Sequence, residues 1–258
     1  MIMKASQINK IIFLLFIFLF ETVFGQSVDS GVYKWIDAAS ENKIDMQKMV
    51  SGETIDLKNM SIFSITMDID DKFEKTLGVN EEILIIIKDG EFNIEVNDIE
   101  KTVGKGSVAV ILPNDKFTIH NSADSKSQLY YFIYNSKDPV NLDRGLAEGG
   151  SFIVDWNELE FKPHDRGGIR EYFEKATAMF HRFEMHVTTL NPGINSHNPH
   201  THTSDEMVLM IDGEAVLQIG NEHFNAETGD LIFLGANKPH ALNNESGKKI
   251  MYFAFHGE

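Results

Sequence analysis

The 258-residue sequence predicts an all-β protein made of two tandem barrels, and three observations predict it. The chain repeats itself: shifted by 123 residues, its turn and loop landmarks coincide over a long stretch without a gap. Short β-branched and aromatic runs are punctuated by Asp-Gly, Gly-Asp and Asn-Asp pairs, which favours hairpins in a closed or double-sheet barrel. In the central runs residues of both parities are apolar. Each such strand is therefore expected to be buried on two sides, by its own barrel interior and by a neighbouring sheet.

The repeat sets the domain organisation. Under the shift of 123, Thr54 falls on Thr177, Asp89-Gly90-Glu91 on Asp212-Gly213-Glu214, Gly106 on Gly229 and Asn121 on Asn244. A shift of 121 places Trp35 on Trp156, the only two tryptophans. One structural unit thus occurs twice, over 26–138 and 150–258, joined by a linker at 139–149 that holds Pro139, Gly145 and Gly149. In the first copy Met60–Met67, Ile83–Ile87, Phe92–Val96 and Val108–Leu112 read as strands. Their counterparts are Met179–Leu190, Met207–Ile211, Ala215–Ile219 and Leu231–Leu234, and both copies end in aromatic strands, Leu129–Tyr134 and Met251–Phe255. Helix is expected to be sparse, with Glu41–Val50 and Ile169–Lys175 as the candidates.

The first 25 residues read as a secretory signal peptide. Lys4 and Lys10 precede ten uninterrupted apolar residues, Ile11–Phe20, and Val23 and Gly25 are the small residues before a cut ahead of Gln26. The run falls short of the roughly 20 residues of a bilayer span, although an uncleaved anchor is the alternative. The mature protein is accordingly expected to be periplasmic or secreted, with no membrane contact after signal removal. With no cysteine there is no disulfide framework, so stability must come from the core. A net charge of −16 repels nucleic acid at long range. The partners left open are a small-molecule ligand and a second copy in a homodimer.

The chemistry concentrates in the second copy. His200 and His202 are two apart, so on a strand both would leave one face, and Glu206 follows four later at the start of an apolar run. His240 comes behind a second turn at Gly229-Asp230. Three imidazoles and a carboxylate suit one divalent transition metal ion, which could be Mn, Fe, Ni or Zn. The repeat supplies an internal control: these four positions fall on Leu77, Val79, Ile83 and Phe117 in the first copy. All four ligands become apolar together, as expected of side chains facing one shared space. The first copy should then be a metal-free scaffold.

The second copy resembles a cupin, a small jelly-roll β-barrel. Gly193, His200, His202, Glu206 and Gly213 fit the motif G(X)5HXH(X)3-4E(X)6G with one extra residue after Gly193. Gly229, His240 and Asn244 fit G(X)5PXG(X)2H(X)3N, with Gly235 and Asn237 standing where the family has proline and glycine. With a degenerate first copy, the mature chain is similar to a bicupin: two tandem jelly-roll barrels with few short helices. The resemblance implies the fold and a metal centre but not a reaction, since cupins include dioxygenases, decarboxylases, isomerases, lyases, aminohydrolases and binding proteins.

Further candidates surround this set. Phe180–Thr188 alternates Arg182, Glu184 and His186 with apolar residues. If the polar parity faces the barrel, Arg182 could clamp a carboxylate and Glu184 or His186 could move protons; otherwise the stripe faces solvent or forms an ion pair. His197, Asn244 and Tyr252 are candidates for substrate binding, and Tyr252, Phe255 and His256 for the barrel mouth. The expectation is a metalloenzyme acting on a small carboxylate or sugar-derived acid that coordinates the metal. The alternative is a non-catalytic binding or structural module. Polar residues around the ion would favour the enzyme, and a pocket sealed by Met and Phe the module. Serine or cysteine nucleophile chemistry is unsupported: no cysteine and no G-x-S-x-G turn occur.

Overall fold

A computed structural model describes residues 26–39 and 43–258; the expected signal segment 1–25 lies outside the described residues. The first half runs through β1 (Gly31–Tyr33), β2 (Ile44–Gly52), β3 (Leu57–Met67), β4 (Lys72–Thr76) and β5 (Glu82–Asp89). It continues through β6 (Glu91–Val96), β7 (Ile99–Gly104), β8 (Val108–Ile111), β9 (Lys116–Asn121) and β10 (Ser127–Ser136). A helix α1 (Leu142–Ala147) precedes β11 (Phe152–Val154), β12 (Lys162–His164), β13 (Gly167–Lys175), β14 (Phe183–Leu190) and β15 (Glu206–Asp212). The chain closes with β16 (Glu214–Ile219), β17 (Glu222–Glu227), β18 (Leu231–Leu234), β19 (His240–Asn243) and β20 (Ile250–Gly257).

These strands form two double-sheet jelly rolls. A six-stranded sheet, β11-β8-β5-β10-β3-β2, faces a four-stranded one, β4-β9-β6-β7. A seven-stranded sheet, β1-β18-β15-β20-β14-β13-β12, faces a three-stranded one, β17-β16-β19. Neither large sheet is completed by its own half. Strand β11 lies against β8, with Ile153 opposite Ala109, while β1 lies against β18, with Val32 opposite Ile232. These are the same register under the repeat, so the two halves exchange their first strands reciprocally.

Burial on both faces follows as the sequence pattern requires. Ile83, Ile85 and Ile87 of β5 fill the first barrel, whereas Leu84 and Ile86 join the core between the barrels. Val208 and Met210 of β15 line the second interior, and Leu209 and Ile211 face the shared core. Phe132, Tyr130, Phe233, Phe253 and Phe255 belong to that shared core, where each such side chain contributes roughly 1.5–3 kcal/mol on burial.

The repeat is written into the backbone as well. Positive φ occurs at Asp70, Gly90, Asn97, Gly106 and Asn114, and again 123 residues later at Gly193, Gly213, Gly220, Gly229 and Asn237. Only Gly, Asn and Asp occupy these left-handed positions, the residues for which that conformation costs least. The junction is also reciprocal. The Glu82 carboxylate accepts from the N–H groups of Ala178 (3.1 Å) and Met179 (3.3 Å), and the Asp205 carboxylate accepts from Ile55 N–H (2.9 Å). The Tyr130 hydroxyl donates to Gly229 O and the Tyr172 hydroxyl to Gly106 O, each at 2.7 Å.

Two expectations change. The helix candidates at 41–50 and 169–175 fall in strands over their described residues: 44–50 lie in β2, which pairs with β3, and 169–175 in β13, which pairs with β14. Ladder hydrogen bonds outweigh a weak helical pattern in both. Within the segment 139–149, read as the link between the copies, lies α1, capped by Asn141, whose side chain accepts from Arg144 N.

Candidate metal centre

The site sits where β15 begins and the second barrel loses a strand. In the first barrel β4 pairs with β9 along its whole length, from Lys72 opposite His120 to Thr76 opposite Lys116. In the second, only bridges survive at the two ends, Asn195 to Asn243 and His200 to His240. Between them the chain leaves the ladder at His197-Asn198-Pro199, and proline has no N–H to return to it. His200 thus sits in an isolated bridge and His202 in a loop, rather than together on the strand that their spacing suggested.

The three imidazoles converge all the same. Ligand nitrogens of His200, His202 and His240 lie within 4.8 Å of one another. Glu206 Oε2 is 3.0 Å from His202 Nε2 and 3.2 Å from His240 Nε2. His240 is buried, and its Nε2 makes no hydrogen bond of good geometry. An unsatisfied buried nitrogen facing a carboxylate and two further imidazoles is what a cation between them would satisfy, so the donor set fits a divalent metal. The opposite ring nitrogens are engaged: His240 Nδ1 with Lys238 O at 2.8 Å and His202 Nδ1 with Ser204 O at 2.6 Å. Carbonyl partners fix Nδ1 as the protonated nitrogen and leave Nε2 free to bind.

The charges reinforce one another. Burial alone would raise the Glu206 carboxyl, but the His202 imidazole hydrogen-bonded to it and the His240 imidazole beside it hold it well below the usual carboxylate range. The hydrogen bond to Glu206 raises the His202 imidazole against its own desolvation. His200 is lowered, by desolvation first and then by neighbouring His197 and His240.

The two departures from the family motif are accommodated. Asn237, where the motif has glycine, takes φ +60° as Asn114 does in the first barrel, and its N–H donates to His202 O at 2.8 Å. Gly235, where the motif has proline, donates its N–H to Ser30 Oγ at 2.9 Å. Proline could not make that bond to the segment leading into the exchanged strand β1.

The histidines open onto a cavity of about 330 Å³. Strand β14 turns its polar parity inward: Glu184, His186 and Thr188 line the cavity, while Phe183, Met185 and Val187 join the shared core. Arg182 does not line it. It lies just before the strand, half-exposed, and ion-pairs with Glu174, Glu184 and Glu258. His197 and Tyr252 line the cavity, and burial pushes the Tyr252 hydroxyl up to about 12. Asn244 does not. Its amide donates to the carbonyls of Leu190, Asn191 and Lys248, while its Oδ1 accepts from Ser246. Asn121 makes the same bonds in the first barrel, so this motif position is a structural pin.

Phe255 is core, whereas His256 faces inward, with Nδ1 3.3 Å from Glu184 Oε1 and its ring nearly parallel to that of His202. Register explains this: His256 lies opposite both Glu184 and Glu206 on adjacent strands. Sequence reading missed His164 and Arg166, which reach the cavity from the β12–β13 turn; only the Gly167-Gly168 pair beside them signals a turn. The internal control needs one correction. Leu77, Ile83 and Phe117 are buried in the first barrel's core, but Val79 is 63% exposed, because the loop after β4 turns outward there.

Known proteins agree with this architecture. Residues 186–256 match the family model described as a cupin domain. No curated protein matches the chain. The protein Ylba of E. coli shares 18% identity and a TM-score of 0.65, over 87% of this chain and 86% of that one. A protein of Pseudomonas aeruginosa described as glyoxylate-induced shares 16%, with a TM-score of 0.67 over 84% and 81%. Lactobacillus farciminis oxalate decarboxylase, in its formate complex, shares 11%, with a TM-score of 0.67 over 90% and 87%. At these identities the likeness carries the fold. Two tandem jelly rolls, one filled and one holding an imidazole cluster, define a protein of bicupin build. Residues 186–256 form a cupin domain.

Proposed function

We propose that this protein is an exported metalloenzyme whose second barrel binds one divalent transition metal and acts on a small acid that coordinates it. The observation that carries the reading is the convergence of three imidazole nitrogens within 4.8 Å around the unsatisfied Nε2 of His240. His200, His202, His240 and Glu206 would hold the ion. When bound, it supplies a Lewis acid for a carboxylate or carbonyl oxygen and lowers the pKa of bound water.

The other lining residues supply proton chemistry. His256 and Glu184 form a carboxylate–imidazole pair beside the ligands, able to hold or pass a proton at His256. Burial lowers the His186 imidazole, which keeps it a neutral acceptor near pH 7. The Tyr252 hydroxyl keeps its proton and can donate to a substrate oxygen. The lining contains no methionine or phenylalanine, which supports an enzyme over a sealed binding module. One protein of the same build is an oxalate decarboxylase, and oxalate is a small acid of the proposed class. The proposed export rests on residues 1–25 and predicts that the exported chain starts at Gln26 on N-terminal sequencing.

Elemental analysis of the purified protein tests the centre. About one equivalent of metal is expected in the wild type and none in His200→Ala/His202→Ala; equal content in both would end the reading. Because the imidazoles must be neutral to bind, bound metal should also fall as pH drops through the histidine range.

A further inference from the structure

We propose that Arg166 grips a second carboxylate of the substrate, so that the cavity selects dicarboxylic acids over monocarboxylic ones. The inference rests on the metal reading above and narrows the small acid to one class. Among the described residues that line the cavity, Arg166 is the only lysine or arginine, and a guanidinium stays charged at any working pH. Its Nη1 is taken up by two backbone carbonyls, Ser196 O at 2.7 Å and Asn195 O at 3.2 Å. Nε and Nη2 have no hydrogen-bond or ion-pair partner among the described residues. These two nitrogens form one edge of the planar fork, an edge that meets a carboxylate with two parallel hydrogen bonds. The loop carbonyls already hold the plane, so gripping an anion loses little further side-chain freedom.

The repeat supplies a control for this residue too. Under the shift of 123, Arg166 falls on Lys43, and the backbone is the same at both. Asn191 N–H donates to Arg166 O and Asp68 N–H to Lys43 O, each at 2.8 Å. The side chains part from there. Lys43, in the half whose barrel is filled with apolar residues, is 86% exposed and lies 3.7 Å from Asp71. Arg166 lines the cavity of the open barrel instead. The turn that carries it is tightly set: Gly167 takes φ +146°, and a Cβ there would clash with Thr189 O. Arg166 N–H donates to His164 Nδ1 at 3.2 Å, so both backbone polar groups of the residue are held.

Charge and size agree on the class. The two carboxylates in the lining, Glu184 and Glu206, would repel an acid if left uncompensated. Arg182 ion-pairs with Glu184, and Glu206 would offset one charge of a divalent ion. One positive charge then remains at the ion and one at Arg166, which matches a dianion. The cavity of about 330 Å³ has room for about ten waters, more than a two-carbon acid fills. Acids of four or five carbons with a carboxylate at each end suit it.

The experiment is calorimetric titration of the Zn²⁺-loaded protein with succinate and glutarate, and with butyrate and valerate as monoacids of matching length. Wild type should bind each diacid about 10- to 100-fold more tightly than its monoacid, the range expected of charged hydrogen bonds. Arg166→Gln should lose most of that preference while its affinity for the monoacids stays within a few-fold of wild type. Lys43→Gln, the matching change in the first barrel, should keep the preference. No preference in wild type, or no binding of either acid, would overturn the proposal and leave the metal centre standing. So would a preference that survives Arg166→Gln. Equal weakening of diacid and monoacid in that variant would also overturn it, marking Arg166 as a tie for the loop alone. Absence of Zn²⁺ binding by wild type would overturn both readings, and metal analysis of the same samples separates that result from the others.

Discussion

The two barrels share a frame and differ in what fills it. Around the position of His240 the first barrel places Phe117, buried with Leu77 and Ile83 in an apolar core. The second places imidazoles and a carboxylate around a cavity of about 330 Å³. The strand that closes the first barrel, β4, is reduced in the second to two bridges flanking an open loop. The comparison teaches that site and stability are divided between copies. One copy is packed for cohesion, the other gives up packing for donor atoms, and the shared core holds the two in register.

Substitution at the paired positions should expose this division most strongly. Phe117→Ala would leave a void in a filled core and cost about 3–5 kcal/mol in denaturant melts. His240→Ala, measured with chelator present, removes a side chain from a cavity wall together with an unsatisfied nitrogen, and should cost about 1 kcal/mol. Equal losses at the two positions would refute the contrast.

The junction gives the next largest effect. Burial raises Glu82 from 4.5 to about 7, although Thr177, Tyr134 and the Met179 and Ala178 amides oppose the shift. The folded protein therefore retains a proton that the unfolded chain has released. This contribution to stability is complete below about pH 4.5 and is lost as pH rises to about 7, amounting to about 3 kcal/mol. Chemical denaturation of Glu82→Gln between pH 4 and 8 should lack that slope; an identical slope in both proteins would show that Glu82 does not cause it.

Smaller still is the expected effect at the two asparagine pins. Asn121→Ala and Asn244→Ala each strand three carbonyls and should each cost about 2 kcal/mol. Parity between them would mark Asn244 as structural, whereas a loss of ligand binding confined to Asn244→Ala would return it to the site. The smallest change is expected for Arg182→Ala, whose ion pairs are half-exposed and contribute about 0–1 kcal/mol. Its zinc affinity should match wild type.

Much of this could be read from residue order because it is periodic or repeated. Apolar side chains of both parities at Ile83–Ile87 and Leu231–Leu234 announced strands with two buried faces, and the 123-residue shift announced the second barrel. His200, His202, Glu206 and His240 were legible from their spacing. The exchange of β1 and β11 was not, since three-residue strands have no period and pair with partners a long way off in sequence. Ile44–Gly52 misled because a half-exposed edge strand mixes charged and apolar residues as a helix does. Arg182 was placed inward by extending the alternation of β14 one step past its start, where the chain has already turned. His164 and Arg166 lie in a turn, where direction is set by tertiary contacts rather than pattern.

The crossing of the two leading strands also orders the protein's birth. A ribosome delivers residues from the amino end, so β8 emerges with its outer hydrogen bonds bare and stays so until Phe152–Val154 has been synthesised. Strand β1, made earliest, must wait for Leu231–Leu234, almost the last strand to appear. The nascent polypeptide thus carries an uncovered edge for a short part of its translation and an unclaimed ribbon for most of it. The first is settled once β11 has appeared, the second only when the final barrel has assembled.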